Sequence, residues 1–242
     1  MARDSALLAR AAATGESVFS IYSWERPTLS FGRNQRALGQ YDRQAIRARD
    51  IDVVRRPTGG RAILHHREVT YCVAAPVREH ESLRDSYELI NRILLEGLRR
   101  VGVTAEIAGG GNAIAPTAAP CFNLPSEGEI VAEGRKLVGS AQWREENAFL
   151  QHGSILVEDD QSSLASLAAD GASDAAAPPP APATLRSLLG NAPSSEDLAG
   201  AICAALEGIE DCSATILNED EVRPSALAIL PEYLDERWTW RR

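Results

Sequence analysis

Three short segments of β-type sequence follow one another near the middle of the chain. They cover residues 129–132, 136–142 and 149–157, and only a few turn residues separate them. Successive side chains of a strand point to opposite faces of a sheet. One face of the middle segment is therefore expected to carry Lys136, Val138, Ser140 and Gln142. A face in mid-sheet that mixes lysine, serine and glutamine is either solvated or part of a site.

Lys136 is the only lysine in the chain, since 24 of the 25 basic residues are arginine. Arginine stays protonated in proteins, whereas burial can lower the pKa of a lysine until it exchanges a proton. This contrast makes Lys136 a candidate for a titrating amine. An arginine-rich composition can also leave one lysine by chance, so the neighbouring residues must decide.

A second informative stretch is the turn at residues 57–60, which follows a predicted strand at residues 51–56. Its paired glycines, Gly59 and Gly60, permit positive φ and let a ligand approach backbone N–H groups. A Gly-Gly turn by itself is more often an ordinary hairpin. The triple glycine at residues 109–111 lacks the flanking residues of a phosphate-binding loop, which excludes that motif.

Four cysteines lack the paired spacing of a metal site, and a chain of 242 residues needs no disulfide framework. Cys72 lies within a predicted strand at residues 69–77 and is expected to be packed. Cys203 is expected in the core on the packing face of a helix, and Cys212 has no basic neighbour. Cys121 follows a stretch rich in Gly, Ala and Pro, which favours an exposed thiol.

The overall composition excludes several classes of protein. Hydrophobic residues make up 44% and charged residues 24% of the chain, as in soluble globular proteins. The formal charge of -9 argues against general nucleic-acid binding, which depends on neutralised phosphates. No apolar run reaches the length of a membrane span, and the first residues lack the apolar centre of a signal peptide. We expect a cytoplasmic protein with no metal and no membrane or nucleic-acid partner.

A low-complexity segment divides the chain. Residues 159–183 contain alanine and proline tracts and are predicted to be a linker or loop. Residues 1–158 are expected to form the core domain. Helices predicted within residues 184–242 are expected to pack on the same domain.

Two motifs carry a resemblance to a known family. Residues 55–65 read R-R-P-T-G-G-R-A-I-L-H, and residues 134–142 read G-R-K-L-V-G-S-A-Q, followed by Q-H-G-S-I from residue 151. Together with C-F-N-L-P-S from residue 121, they resemble the biotin and lipoate protein ligase family. Within it, they resemble most the cysteine-dependent octanoyltransferases of lipoate biosynthesis.

The resemblance implies an α/β (α+β) fold with a mixed, largely antiparallel sheet flanked by helices, as in class II synthetase-like proteins. It implies that an octanoyl group leaves acyl carrier protein, joins a cysteine and passes to a lysine of a lipoyl domain. Such acceptors are the glycine cleavage H protein and the acyltransferase subunits of 2-oxoacid dehydrogenases. No cofactor is implied, because phosphopantetheine of the carrier brings the octanoyl group.

The same resemblance assigns roles to individual residues. Cys121 would be the nucleophile, and Lys136 its proton partner, either as an ammonium beside the thiolate or as a desolvated amine. Backbone N–H groups near Gly139 and Ser140 are candidates for stabilising the oxyanion. The histidines would position the substrate. The expected substrate-binding residues are Arg56, Thr58, Gly59, Gly60, His65, Gly139, Ser140, Ala141, His152 and Gly153.

The chain also departs from the family pattern. Asn123 replaces the usual aspartate, Glu127 and Gly128 replace a bulkier pair, and His66 stands where an acid is common. These changes bear on substrate preference and leave room for a paralogue with altered activity. Three alternatives stay open at this point: an ATP-dependent lipoate ligase, an octanoyl amidotransferase between lipoyl domains, and a non-catalytic binder of carrier or lipoyl domains.

Overall fold

The computed structural model describes residues 1–109, 122, 128–169, 180–210 and 212–241. The helices of this part of the chain are α1 Ala2–Thr14, α2 Arg43–Ala48, α3 Leu83–Arg100, α4 Leu185–Leu189, α5 Ser195–Glu210, α6 Glu219–Leu234 and α7 Glu236–Thr239, with a 3-10 helix at Gln161–Leu167. The strands are β1 Val18–Tyr22, β2 Thr28–Phe31, β3 Asp52–Arg55, β4 Ile63–His65, β5 Glu68–Pro76, β6 Glu106–Ile107, β7 Ile130–Ala132, β8 Arg135–Glu145 and β9 Ala148–Leu156.

The strands form two sheets. The larger has the order β1-β5-β9-β8-β7-β6, and every neighbouring pair in it is antiparallel. The smaller has the order β3-β2-β4, with β2 parallel to β3 and antiparallel to β4. This arrangement confirms the mixed, largely antiparallel sheet flanked by helices that was expected from the sequence.

One face of the larger sheet is covered by α3 and α5. A capping box between Ser82 and Asp85 begins α3, because each residue satisfies a backbone N–H that the helix leaves open. The helix then buries Ile90, Leu94 and Leu98 at helical spacing against the sheet. The same core includes Ala183, Leu185, Leu198 and Ile202, so α4 and α5 pack in one core with the larger sheet and α3.

The opposite face is covered in part by α1, which packs on Cys72, Ala74 and Leu150. Cys72 is fully buried, as expected. Cys203 is exposed, so its predicted place in the core is wrong. Helix α5 buries Leu198, Ile202 and Ala205, and position 203 lies about 100° around the helix from that of Ile202.

The first part of the segment expected to be a linker packs against the smaller sheet. Its 3-10 helix buries Leu164 and Leu167 beside Leu29 and Phe31. Two apolar residues three positions apart lie on one side of such a helix, which explains the packing. Residues 170–179, which include the alanine tract, lie outside the described residues. No helix of the described residues is long and apolar enough to cross a membrane.

Gly97 sets the distance between α3 and α5. A Cβ at this position would lie 2.5 Å from Ile202 Cγ1 and 2.9 Å from Ile202 Cα. Gly97→Ala should therefore lower the free energy of unfolding by about 1–3 kcal/mol, although alanine favours a helix, because the two backbones must separate. Urea denaturation monitored by circular dichroism measures this change.

Gly200 on α5 is the matched control, because a Cβ there meets nothing within 4 Å. Gly200→Ala should raise the free energy of unfolding by about 1 kcal/mol through helix propensity alone. Equal effects of the two substitutions would contradict the close packing at Gly97.

Candidate active site

Strand β8 contains a bulge that decides where Lys136 points. Val131 of β7 pairs with Lys136 and Ile130 pairs with Val138, so Leu137 is an extra residue on β8. A Cβ at Gly139 would lie 3.1 Å from Lys136 Cε, which shows that positions 136 and 139 share a face. The alternation expected from the sequence is wrong here, because one extra residue reverses the order of faces.

Ser140 and Gln142 lie on the face opposite Lys136. The Tyr71 hydroxyl donates to Ser140 Oγ at 2.6 Å, and Gln142 Nε2 donates to Gln151 Oε1 at 2.8 Å. Their side chains belong to the face of the larger sheet that α3 and α5 cover. The backbones of Gly139, Ser140 and Ala141 still border the cavity described below.

Lys136 is buried in an ion pair. Its side chain is 2% exposed, and Nζ donates to Glu129 Oε1 at 2.6 Å. The Phe122 ring centroid lies 4.8 Å from Nζ, within the range of a cation–π contact. A Cβ at Gly139 would lie 2.9 Å from Phe122 Cζ, so glycine at this position leaves room for the aromatic ring. Cys121 precedes Phe122 in sequence but lies outside the described residues.

A largely apolar cavity lies between the larger sheet and the segment at residues 56–65. Eight of the ten residues expected to bind substrate border it: Arg56, Gly60, His65, Gly139, Ser140, Ala141, His152 and Gly153. The other two, Thr58 and Gly59, support this lining, because Thr58 contacts His152 and the Gly59 carbonyl accepts from Arg56. The structure thus brings the two sequence motifs together around one cavity.

His152 connects the turn at residues 57–60 with α1. Its Nε2 lies 2.6 Å from Thr58 Oγ1, and its Nδ1 lies 3.2 Å from Asp4 Oδ2. Burial lowers the pKa of His152, an effect that Asp4 only partly offsets. The ring is therefore neutral near pH 7, with Nδ1–H donating to Asp4 and Nε2 accepting from the Thr58 hydroxyl.

His65 and Arg56 share Ser30 as a partner. Arg56 Nη1 donates to the Ser30 carbonyl at 3.0 Å, and Nη2 donates to the Arg61 carbonyl at 2.7 Å. Ser30 Oγ lies 2.6 Å from His65 Nε2, while His65 Nδ1 lies 2.6 Å from Glu68 Oε1. These bonds hold both ends of the turn that carries Gly59 and Gly60.

Two glycines make the closest backbone contact beside the cavity. Gly60 has a φ of +94°, a backbone conformation that residues with a side chain rarely adopt. A Cβ at Gly32 would lie 1.9 Å from the Gly60 carbonyl oxygen. Arg33 N–H donates to the Thr58 carbonyl at 2.7 Å. The turn at residues 57–60 is therefore held in place by residues 32 and 33, which directly follow β2.

Sequence reasoning missed several residues around the cavity. Glu129 and Glu68 hold Lys136 and His65, and Thr70 borders the cavity opposite Ser154 in the β5–β9 register. These partners depend on strand register, which no motif reveals. Asp4 did leave a signal, because it occupies the buried stripe of α1 together with Leu7, Leu8 and Ala11. Among the described residues, no cluster of His, Cys, Asp and Glu could hold a metal ion.

Known proteins resemble this chain over most of its length. The model of the lipoyl protein ligase A/B catalytic domain matches residues 1–207. Octanoyltransferase LipM of Kyrpidia tusciae is 38% identical over 92% of this chain and 86% of that protein. Octanoyltransferase LipM of Moorella thermoacetica is 46% identical over 56% of this chain, a match that spans about half (52%) of that relative's length.

Solved structures show the same fold. A lipoate-protein ligase A bound with ATP has a TM-score of 0.77 at 18% identity and covers 99% of this chain and 92% of that one. A bi-partite lipoate protein ligase from Thermoplasma acidophilum has a TM-score of 0.73 at 17% identity, covering 98% and 91%. At these identities the likeness concerns the fold alone, and it confirms the ligase-like architecture expected from the motifs.

The neutral state of His152 gives a pH dependence to stability. Histidine in the unfolded chain titrates near about pH 6.5, whereas burial lowers the pKa of the native His152 ring. As the pH falls toward and below about 6.5, the unfolded state binds more protons than the native state, so the free energy of unfolding falls. His152→Gln should reduce the loss between about pH 7.5 and about pH 5.5 by up to about 1.4 kcal/mol.

Urea denaturation at the two pH values measures this difference. The control is His80→Asn at an exposed site with a φ of +68°, which asparagine tolerates. His80→Asn should leave the pH dependence unchanged. A pH dependence in His152→Gln that equals that of the wild type would show that His152 does not titrate as stated.

Proposed function

Because the chain belongs to the lipoyl protein ligase A/B catalytic domain family, we propose that it moves an octanoyl group from acyl carrier protein to a lipoyl-domain lysine through a thioester on Cys121. The family expected from the motifs is confirmed. The curated relatives support octanoyl transfer in lipoate biosynthesis and therefore an acyltransferase. The thioester, the donor and the acceptor form the proposed part of this reaction.

The single observation that carries the proposal is the buried Lys136–Glu129 pair beside the apolar cavity. The Glu129 carboxylate lies 2.6 Å from Lys136 Nζ in a place from which water is largely excluded. An ammonium that faces a cysteine favours the thiolate, which is the nucleophile in thioester exchange. Phe122, whose ring contacts Lys136, is joined directly to Cys121 in the chain.

In the first step, the Cys121 thiolate attacks the carbonyl carbon of the octanoyl thioester. The new C–S bond forms as the bond to the pantetheine sulfur breaks, and the Lys136 ammonium gives its proton to that leaving sulfur. Lys136 is then a neutral amine next to an uncharged acyl-enzyme. The two roles expected for this lysine, as ammonium and as amine, thus follow one another.

In the second step, the acceptor lysine attacks the acyl-enzyme as a free amine. Lys136 takes the proton that the nitrogen loses as the amide forms, and the Cys121 thiolate leaves. Lys136 is again an ammonium that stabilises the thiolate. The sum is a free carrier thiol and an octanoyl amide, without ATP or another cofactor.

The tetrahedral oxyanion of each step needs hydrogen-bond donors. Beyond Val138, strand β8 pairs with β9 on one side and with no strand of the described residues on the other. This free edge next to Gly139 and Ser140 can offer backbone N–H groups toward the cavity, as expected for an oxyanion site. The cavity itself is lined mainly by apolar surface, which suits the alkyl part of an octanoyl group.

The lipoyl domain is proposed as acceptor because of the family. The Thermoplasma acidophilum ligase was solved as part of a lipoylation system together with its E2 lipoyl domain. Within this proposal, the glycine cleavage H protein and the 2-oxoacid dehydrogenase subunits are candidate acceptors. Octanoylated carrier protein is the proposed donor, because a thioester already holds the acyl group in activated form.

Mass spectrometry of the intact protein tests the acyl-enzyme. Mixing the protein with octanoyl-carrier protein should give one octanoyl adduct, and Cys121→Ala should abolish it and lower turnover on the order of 10³-fold or more. Cys203→Ala is the matched control, because Cys203 is an exposed thiol in the same chain and should keep both adduct and turnover. Turnover of octanoate with ATP that survives Cys121→Ala would instead identify a lipoate ligase.

Lys136 can be tested by separating its two roles. Lys136→Arg keeps the positive charge but neither gives nor takes up a proton. Acyl-enzyme formation should slow only modestly, because the carrier sulfur can leave as a thiolate, whereas transfer to the lipoyl domain should slow by about 10²- to 10⁴-fold, because the attacking amine must lose a proton. Lys136→Met should slow both steps. Single-turnover assays with rapid quenching measure the two rates.

The control for the lysine is Arg144→Met, which changes an exposed cation of the same strand and should leave both rates unchanged. Equal rates of amide formation in Lys136→Arg and the wild type would rule out Lys136 as the base. Tight binding of carrier or lipoyl domains without any product in the wild type would favour a binding protein.

A further inference from the structure

Arg55 is a fully buried cation that meets carbonyl groups rather than an acid. Its side chain is 0% exposed, and among the described residues no carboxylate lies within ion-pair distance of it. Burial, together with the cations of Arg241 and Arg56, lowers the pKa of Arg55 to about 10. A buried charge needs its donors satisfied, and here backbone carbonyls satisfy them.

The carbonyl partners of Arg55 belong to two separate segments. On one side, Nη1 donates to the carbonyls of Gly32 at 2.6 Å and Gln35 at 2.8 Å. On the other side, Nε donates to the carbonyl of Trp238 at 2.9 Å, and Nη2 donates to that of Arg241 at 3.1 Å. The planar guanidinium thus joins the segment after β2 to residues 235–241 near the end of the chain.

The segment after β2 is the one that supports the cavity. Gly32 lies against the Gly60 carbonyl so closely that no Cβ fits, and Arg33 N–H donates to the Thr58 carbonyl. Gly60 borders the cavity directly. A shift in residues 32–35 would therefore move the turn at residues 57–60.

Residues 235–241 are attached at further points. Trp238 Nε1 donates to the Arg55 carbonyl at 3.3 Å, and the Trp240 ring packs edge-on against Phe31 at 5.3 Å between centroids. Arg241 Nη2 donates to the Arg33 carbonyl at 2.6 Å. All of these contacts reach either β2 and β3 or the residues that follow β2.

We propose that residues 235–241 form a positioning element of the acyl cavity and act through Arg55, which holds residues 32–35 under the turn at residues 57–60. Neither Arg55 nor any of residues 235–241 borders the cavity, so Arg55 is a positioning residue and not a catalytic one. That the cavity holds an octanoyl chain rests on the proposed function. The positioning itself does not.

Hydrogen exchange tests the positioning without any assumed activity. In Arg55→Lys, and in a chain that ends after Leu234, peptides covering residues 30–36 and 56–62 should lose protection by about tenfold or more. Lysine has three donors on one nitrogen and cannot span both segments as guanidinium does. Peptides of α3, which does not touch this region, report whether the whole fold has loosened.

Enzyme kinetics then connect the positioning with substrate. Both variants should raise KM for octanoyl-carrier protein by about tenfold with a smaller change in kcat, because the turn that lines the cavity is misplaced. The double variant should be no worse than the worse single variant, since both remove one connection. In Arg55→Ala, millimolar guanidinium should restore KM, whereas the same concentration of sodium chloride should not.

Arg99→Lys is the matched control, because this arginine is 72% exposed at the end of α3. Unchanged protection of residues 56–62 in both variants would overturn the proposal, whatever the activity. Lost protection together with unchanged KM would equally overturn a role in substrate binding. A protein without octanoyl transfer that still shows the exchange effect would refute the proposed function and leave the positioning intact.

Discussion

The antiparallel pairing of β5 with β9 is the constraint on which the site depends. Nine residue pairs fix its register, with Thr70 opposite Ser154 and Cys72 opposite His152. One face of these strands is buried under α3 and α5, so a slip of one residue would turn the apolar side chains of that face toward the cavity and place polar groups under the two helices. Burial of apolar side chains on one face thereby fixes the register, and the register determines which side chains reach the cavity on the other face.

The bulge in β8 changes the face of the larger sheet on which Lys136 lies. If β8 kept regular alternation from residue 136 to residue 138, Lys136 would lie on the same face as Val138, in the apolar core beneath α3, where an unpaired charge is costly. With the bulge, the lysine reaches the cavity side and pairs with Glu129 at 2.6 Å. The bulge interrupts regular pairing at one residue of β8, and it places the Lys136 side chain next to Phe122 and Gly139.

The smaller sheet contributes the opposite wall of the cavity through close backbone contacts. Gly32 and Gly60 meet where no side chain fits, and Arg56 and Arg55 satisfy carbonyls on either side of this contact. These carbonyls accept hydrogen bonds from buried guanidinium groups. Loss of a guanidinium would leave the buried carbonyls without a donor, which costs free energy. Close backbone packing and hydrogen bonds therefore hold this wall together, although much of it is irregular in secondary structure.

The family and the fold class could be predicted from the sequence, because long motifs with rare residue combinations can be recognised in the sequence alone. Eight of the ten expected binding residues border one cavity, which reflects the motif that each belongs to. The strands predicted at residues 69–77 and 149–157 correspond to β5 and β9, because alternation of side chains is a local property of the chain. The functional roles of the expected binding residues stay predictions, as does that of Cys121.

Tertiary structure alone decided the partners of these residues. The Lys136–Glu129 pair depends on a bulge, the Glu68–His65 pair on packing between two sheets, and the carbonyls around Arg55 on residues about 180 positions later in the chain. The exposure of Cys203 depends on which stripe of α5 meets α3. Periodicity records which residues are apolar, whereas register and long-range contacts are set by the packing of the whole chain.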